Sequence, residues 1–263
     1  MFRHIRLLSF DLDDTLWPMK PVIMAAEQEL YEWLAWEAPR IVRDLSVMDM
    51  RERRVAFMEA HPGISHDLTL VRRRTLALLL EEYGYDPRRA EEGTAVFRSA
   101  RNRVTPWEDV LPVLGRLKQD YLLVSVTNGN AQVEQTPLRD CFHLNLGAAE
   151  VGAAKPHPAL FQALRDWSGL PFKQMMHVGD DLERDMLPAR ELGMATAWVH
   201  REKAARRESF RPDLCLFNLR PLLRYLCRGS VSSISPLTLA RSPRGEGSFP
   251  DWELTRIFHP GTR

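Results

Sequence analysis

Cysteine is scarce in this chain and does not cluster: Cys141, Cys215 and Cys227 are far apart, with no metal-ligand spacing between them. A disulfide framework or a thiolate metal site is not expected. The plain expectation is three buried, apolar side chains in a reducing cytosol. Long apolar runs are missing as well. No stretch approaches the ~18 residues of a membrane helix. Between Arg6 and Asp11 lie only Leu7, Leu8, Ser9 and Phe10, too few for the core of a signal peptide. A dominant charge is also lacking, since 36 Lys and Arg face 35 Asp and Glu for a net charge of +1. Nothing therefore draws the chain to nucleic acid or to an anionic membrane surface. These absences point to a soluble, cytoplasmic protein, and leave its oligomeric state open.

What is present suffices for a real core. Hydrophobic residues make up 44% of 263, enough for one large or two modest domains. The chain is organised around Leu7-Leu8-Ser9-Phe10-Asp11-Leu12-Asp13-Asp14-Thr15-Leu16-Trp17. Its short apolar run reads as a buried parallel strand. The run stops at three carboxylates in four residues, at the strand end where open α/β sheets bind ligands. Acids so crowded repel one another, and burying them is costly unless a cation neutralises them. Mg²⁺, a hard ion that prefers oxygen ligands, is the expected cofactor. A carboxylate held beside it can act as a nucleophile. The competing reading is a polar turn in which Asp14 caps the next helix.

Beyond Trp17 the strand signals vanish until about residue 103. Four helices are expected, over about 21–37, 40–60, 66–83 and 87–102, with short links that favour an antiparallel bundle. Strands and helices then alternate. Helices are expected over 108–119, 131–138, 158–168, 183–193 and 219–227, and strands over 121–126, 144–146, 175–178, 195–199 and 214–217. This is the pattern of a doubly wound parallel sheet in the α/β class. Residues 229–263 lose periodicity and are rich in Gly, Ser, Pro and Arg, so a flexible tail is expected there. A segment docked through Trp252, Ile257 and Phe258 is the alternative.

Three later stretches add to the first. Residues 122–129 read Leu-Leu-Val-Ser-Val-Thr-Asn-Gly, a strand ending in a hydroxyl. Lys155-Pro156 precedes a helical stretch. Residues 176–185 read Met-His-Val-Gly-Asp-Asp-Leu-Glu-Arg-Asp, a second strand that runs into acids. Asp, Thr, Lys and Gly-Asp-Asp in this order resemble the four signature motifs of the haloacid dehalogenase superfamily, most of whose members are Mg²⁺-dependent phosphohydrolases. The resemblance covers residues 5–16 and about 107–227. It implies a Rossmann-like catalytic core over 1–16 and 107–228, and a helical bundle cap over 17–106. Within the superfamily, Phe10–Trp17, Thr127–Gln132 and His177–Asp185 look similar to bacterial phosphatases of flavin mononucleotide or of the ribityl-aminouracil phosphate of riboflavin synthesis.

The resemblance and the residues together suggest roles. Asp11, ending its strand, is the expected nucleophile, and Asp13 the acid that protonates the leaving oxygen and later takes a proton from water. Thr127 and the Asn128 amide are expected to bind phosphoryl oxygens, with Lys155 neutralising their charge. The resemblance implies that Mg²⁺ is held by Asp11, the backbone carbonyl of Asp13 and Asp180. Asp181 and Asp185 would bind metal-bound waters or orient Lys155, and either Asp180 or Asp181 is open as the direct ligand. Asp14 and Thr15 are expected to hold the loop. Trp17, Trp33 and Trp36 are read as core rather than pocket lining, and none of the eight histidines is assigned a role. A non-enzymatic phospho-acceptor is disfavoured because the second clear core strand ends in Thr127, not Asp. Dehalogenases of the superfamily generally lack the acid two residues after the nucleophile, so Asp13 argues against that reaction. A sugar-phosphate phosphatase or phosphomutase is the runner-up.

Overall fold

A computed structural model of the chain describes residues 2–201 and 211–226. Six strands form one all-parallel sheet: β1 (Leu7–Phe10), β2 (Leu122–Thr127), β3 (Leu144–Gly147), β4 (Met175–Gly179), β5 (Ala195–Val199) and β6 (Leu214–Leu216). Their spatial order is β3-β2-β1-β4-β5-β6, which puts β1 in the middle and reverses direction beside it. This is the Rossmann-like, doubly wound arrangement, with its ligand crevice at the strand ends where the order reverses.

Alternation along the strands builds both faces. Leu8 and Phe10 of β1 join Leu123, Met176 and Val178 in one apolar layer, covered by α6 (Val110–Leu117) and α10 (Arg220–Leu226). Leu7 points the other way, with Val124, Val126 and Met175, beneath α8 (Ala159–Ser168) and α9 (Leu187–Glu191). β1 is buried along its whole length, as a central parallel strand must be. A short helix not expected from the sequence, α7 (Ala148–Val151), follows β3.

Between β1 and β2 the chain leaves the sheet and forms a helical block with its own core. It comprises α1 (Met19–Glu37), α2 (Pro39–Asp44), α3 (Val47–Ala60), α4 (Leu68–Glu82) and α5 (Ala90–Arg101). Ala26, Leu30, Leu34, Leu76, Leu80 and Phe97 are among the residues of that core.

The helix expected over 40–60 is two helices. Leu45 is extended, and Ser46 restarts the chain with a reciprocal capping box to Asp49. The helix expected over 131–138 is a single tight turn, Val133–Gln135, and Pro137 follows too closely for it to continue. The stretch 183–193 opens with a wide π-helical turn over Leu182–Met186, in which Met186 N reaches back to Asp181 O at 3.2 Å. Pro188 has no N–H for the carbonyl four residues before it, so α9 starts only beyond that turn. The cysteines also depart from expectation: Cys215 is exposed and Cys141 half-buried. Cys215 sits on β6, the last strand described, between Leu214 and Leu216, whose side chains turn into the core. Cys227 and the tail over 229–263 lie outside the described residues. Among those described, no helix is long and apolar enough to cross a membrane.

Candidate active site

Three neighbouring strands end at one place. Asp11 follows β1, Thr127 closes β2, and Asp180 follows Gly179 at the end of β4. Asp11 N still donates to Val178 O at 2.9 Å, so the sheet holds the Asp11 backbone although the strand has ended. The chain then turns sharply. Asp14 takes a positive φ of 56°, and its Oδ1 accepts from Met19 N at 2.8 Å. Asp14 thus does the capping work of the competing reading while Asp11 faces inward.

Lys155 is buried among acids. Its Nζ donates to Asp11 Oδ1 at 2.6 Å, Asp185 Oδ1 at 2.6 Å and Val126 O at 2.8 Å, which uses all three of its protons. Burial would lower the Lys155 pKa, but Asp11 and Asp185 outweigh it and hold the ammonium charged. Burial would likewise raise Asp185, yet Lys155 and the hydrogen bond from His177 keep it below the usual carboxylate range. His177 is wholly buried, and burial pushes its pKa down, so the ring is neutral. Its Nε2 lies 3.1 Å from Asp185 Oδ1 and its Nδ1 2.8 Å from Ser9 Oγ. An ionised Asp185 can only accept, so Nε2 carries the proton and Ser9 donates to Nδ1. The Asn128 side chain clamps the Lys155 backbone from both sides, accepting from its N at 2.7 Å and donating to its O at 2.8 Å. Thr127 Oγ1 accepts from Gly129 N at 2.9 Å.

The acid pair after β4 divides. Asp181 turns away and caps the π-helical turn, accepting from Glu183 N and Arg184 N, both at 2.9 Å. Asp180 turns inward and accepts from Thr15 Oγ1 at 3.1 Å. One carboxylate oxygen each of Asp11, Asp180 and Asp185 lies within 4.8 Å of the others. Burial, and then Asp185, push the Asp180 pKa up to about 7. Burial also raises Asp11 well above the ordinary value, against the pull of Lys155. Hard oxygen donors that resist ionising without a cation beside them fit a small divalent ion. The geometry adds Asp185 to the candidate ligands and favours Asp180 over Asp181.

Asp13 faces the helical block. Trp17 Nε1 donates to its Oδ1 at 2.8 Å, and Arg101 Nη2 lies 2.6 Å from both of its oxygens. Arg101 is the last residue of α5 and is 1% exposed. The next residue, Asn102, ties the chain to the loop after Thr127: its Oδ1 accepts from Gln132 N at 2.8 Å and its Nδ2 donates to Gln135 Oε1 at 2.9 Å. Asn130 Nδ2 donates to Thr69 Oγ1 of α4 at 3.2 Å, a second link across the site. A cavity of about 300 Å³ lies between, floored by the acids and Lys155 and walled by Met19, Ile23 and Leu68. Trp17 is buried in the sheet's core, Trp33 packs within the helical block and Trp36 is exposed. None of the three lines the cavity.

Sequence reasoning missed Arg101 and His177. His177 had only a weak signal, a polar residue in an otherwise apolar strand, and the structure places it beside Ser9 in register. Arg101 had none, because only the packing of α5 brings it to Asp13.

Residues 5–193 match the family described as haloacid dehalogenase-like hydrolases. The chain belongs to that family. It is therefore a hydrolase. It is 33% identical over 203 residues to the 5-amino-6-(5-phospho-D-ribitylamino)uracil phosphatase YigB of Escherichia coli, covering 76% of this chain and 85% of that one. A glyceraldehyde 3-phosphate phosphatase of Methanopyrus kandleri is 26% identical, covering 76% of this chain and 85% of that one. Among solved structures, one described as a 2-haloacid dehalogenase from Pseudomonas syringae superposes with a TM-score of 0.79 at 34% identity, covering 84% of this chain and 97% of that one.

Proposed function

We propose that this hydrolase is a Mg²⁺-dependent phosphatase that cleaves a small phosphate monoester through an aspartyl-phosphate on Asp11. The observation that carries this is the convergence of Asp11, Thr127, Lys155 and Asp180 at the ends of adjacent strands, with Asp13 two residues beyond Asp11. Asp11, the Asp13 carbonyl and Asp180 would hold the ion, with Asp185 beside them. Bound there, Mg²⁺ would supply positive charge to the phosphoryl oxygens.

The chain's own groups do the rest. Thr127 Oγ1 and the backbone N–H of Asn128 receive phosphoryl oxygens, since the Asn128 side chain is already engaged with Lys155. The Asp11 carboxylate attacks phosphorus and the ester oxygen leaves, taking its proton from Asp13. Asp13 then accepts a proton from water. The resulting hydroxide attacks phosphorus, which releases inorganic phosphate and restores the Asp11 carboxylate. Asp11 and Asp185 keep Lys155 charged, His177 holds the Asp185 carboxylate that aims it, and Asp181 anchors the turn that carries Asp185.

For substrate we propose a small phosphorylated metabolite with a planar ring, of the ribityl-aminouracil phosphate or flavin mononucleotide type. The similarity to the Escherichia coli phosphatase supports this, and so does a helical block that closes over the site and excludes large partners. The ring would lie against Met19, Ile23 and Leu68. A sugar phosphate is the alternative, and the archaeal relative favours it. The name of the Pseudomonas relative raises dehalogenation as a second reading, which Asp13 opposes.

The test is release of phosphate from p-nitrophenyl phosphate by pure protein, with and without Mg²⁺, beside release of halide from a 2-haloacid. Mg²⁺-dependent phosphate release is expected. Halide release without phosphate release would replace the phosphatase reading. Ranking kcat/KM over flavin, nucleotide and sugar monophosphates then tests the substrate class. A sugar phosphate more than tenfold better than flavin mononucleotide would remove the flavin reading.

A further inference from the structure

We propose that Arg101 is a positioning residue for the reaction: from the end of α5 it fixes the Asp13 carboxyl in place, so that seating of the helical block and aiming of the acid are one event. This rests on the assignment of Asp13 as acid/base.

The geometry carries the inference in three ways. First, Asp13 is held from two directions by groups of different origin. Trp17 comes from its own loop and bonds Oδ1 at 2.8 Å. Arg101 comes from 88 residues away and sits 2.6 Å from both oxygens. A carboxyl gripped by two donors cannot rotate freely, and orientation of a proton donor is worth much of its effect.

Second, the contact is an odd one if its purpose is stability. A structural arginine commonly presents two nitrogens to two oxygens in a fork. Here a single nitrogen, Nη2, serves both oxygens. Among the described residues, Nε and Nη1 of Arg101 are buried without a hydrogen-bond partner. Buried donors left unpaired are costly, so a grip that leaves two of them so is a poor way to build stability alone.

Third, the surroundings are shaped around the pair. A Cβ at Gly129 would stand 2.6 Å from Asp13 Oδ2 and 3.3 Å from Arg101 Nη2. Only a glycine lets the loop after Thr127 pass so close. Asn102 then bonds that same loop at Gln132 and Gln135. The end of α5 is thereby tied to the motif loop at the residue after Arg101, so the packing that seats α5 also sets Arg101 against Asp13.

The test compares Arg101→Met and Arg101→Lys in the wild-type and Asp13→Asn backgrounds, on an alkyl phosphate and on p-nitrophenyl phosphate. An aryl leaving group needs little protonation, so defects that act through Asp13 fall mainly on the alkyl substrate. Arg101→Met is expected to lower kcat on the alkyl ester by about 10²-fold and on the aryl ester by less than about tenfold, with Arg101→Lys recovering part of the loss. In the Asp13→Asn background, adding either substitution should change kcat by no more than about threefold, as for groups that act as a unit. Equal losses on the two esters, or losses that multiply with that of Asp13→Asn, would overturn the proposal and make Arg101 a substrate ligand or a packing residue. Should Arg101→Met not fold, Arg101→Lys decides alone by the same two ratios. Asp13→Asn alone is the control: if it shows no preference between the esters, the acid/base assignment fails, and Arg101 is not what failed.

Discussion

The floor of the site and its roof are made in different ways. On the floor, Asp11, Thr127 and Asp180 are aimed by the sheet itself. Each sits where a parallel strand ends, and adjacent strands bring them together whatever the helices do. In the roof, Arg101, Met19, Ile23 and Leu68 depend on how five helices pack over a separate core. The floor is rigid and strongly charged, with Lys155 at 2.6 Å from two carboxylates. The roof touches it through a few polar links and apolar walls. On the proposed reading, the floor supplies chemistry that many substrates share, and the roof supplies selection among them.

Substitutions can separate the two. The largest effect is expected on the floor at Asp11→Asn, which keeps the shape and removes the proposed nucleophile. Activity should fall by about 10³-fold or more, with the melting temperature little changed. A residual rate above about a tenth would take Asp11 out of the nucleophile role.

Asp13 stands between floor and roof. Asp13→Asn is expected to cost roughly 10²–10⁴-fold on an alkyl phosphate and less on an aryl one. Equal losses would remove it as the acid.

The floor's charge gives a third expectation. Turnover should stop in excess chelator, return with Mg²⁺, and be inhibited by Ca²⁺, which takes six to eight oxygen ligands and would occupy Asp11. Undiminished turnover in chelator would contradict a metal site at Asp11 and Asp180.

The smallest effect on chemistry is expected deep in the roof. Glu27 is buried and accepts from Arg72 at 2.8 and 3.0 Å and from Arg54 at 2.6 Å. Burial would raise its pKa, but the two arginines outweigh burial and lower it from the ordinary value of 4.5. Its stabilising contribution is therefore complete above that value and is lost as pH falls through the lowered one. Glu27→Gln leaves two guanidinium groups without their charge partner and should destabilise by about 3 kcal/mol, with kcat changed little. The gap in melting temperature between wild type and variant should close in acid. A gap that widens in acid would mean that Glu27 is not the group that titrates.

The same contrast explains what the sequence revealed. The motifs around Asp11, Thr127 and Asp180 were legible because a strand end fixes direction locally, and a short apolar run announces the strand. The doubly wound parallel sheet was legible by the same logic, whereas the strand order with β1 at its centre came only from the structure. Arg101 was illegible because no spacing rule connects it to a residue 88 positions earlier. His177 was overlooked because a lone histidine in an apolar strand is usually just a satisfied core residue. Its role shows only once β1 lies beside β4 and the π-helical turn returns Asp185 to it. That turn was itself read as plain helix, since the displacement set by Pro188 and the Asp181 cap leaves no trace in apolar periodicity.

Phosphorus is expected to pass through Asp11. Rapid mixing of enzyme, Mg²⁺ and a phosphate monoester, quenched in acid during turnover and analysed by peptide mass, tests it most directly. A phosphoryl group on the peptide carrying Asp11, absent from Asp11→Asn, is the expected result. Undiminished turnover with no phosphoryl-enzyme, or with the group on another residue, would contradict it.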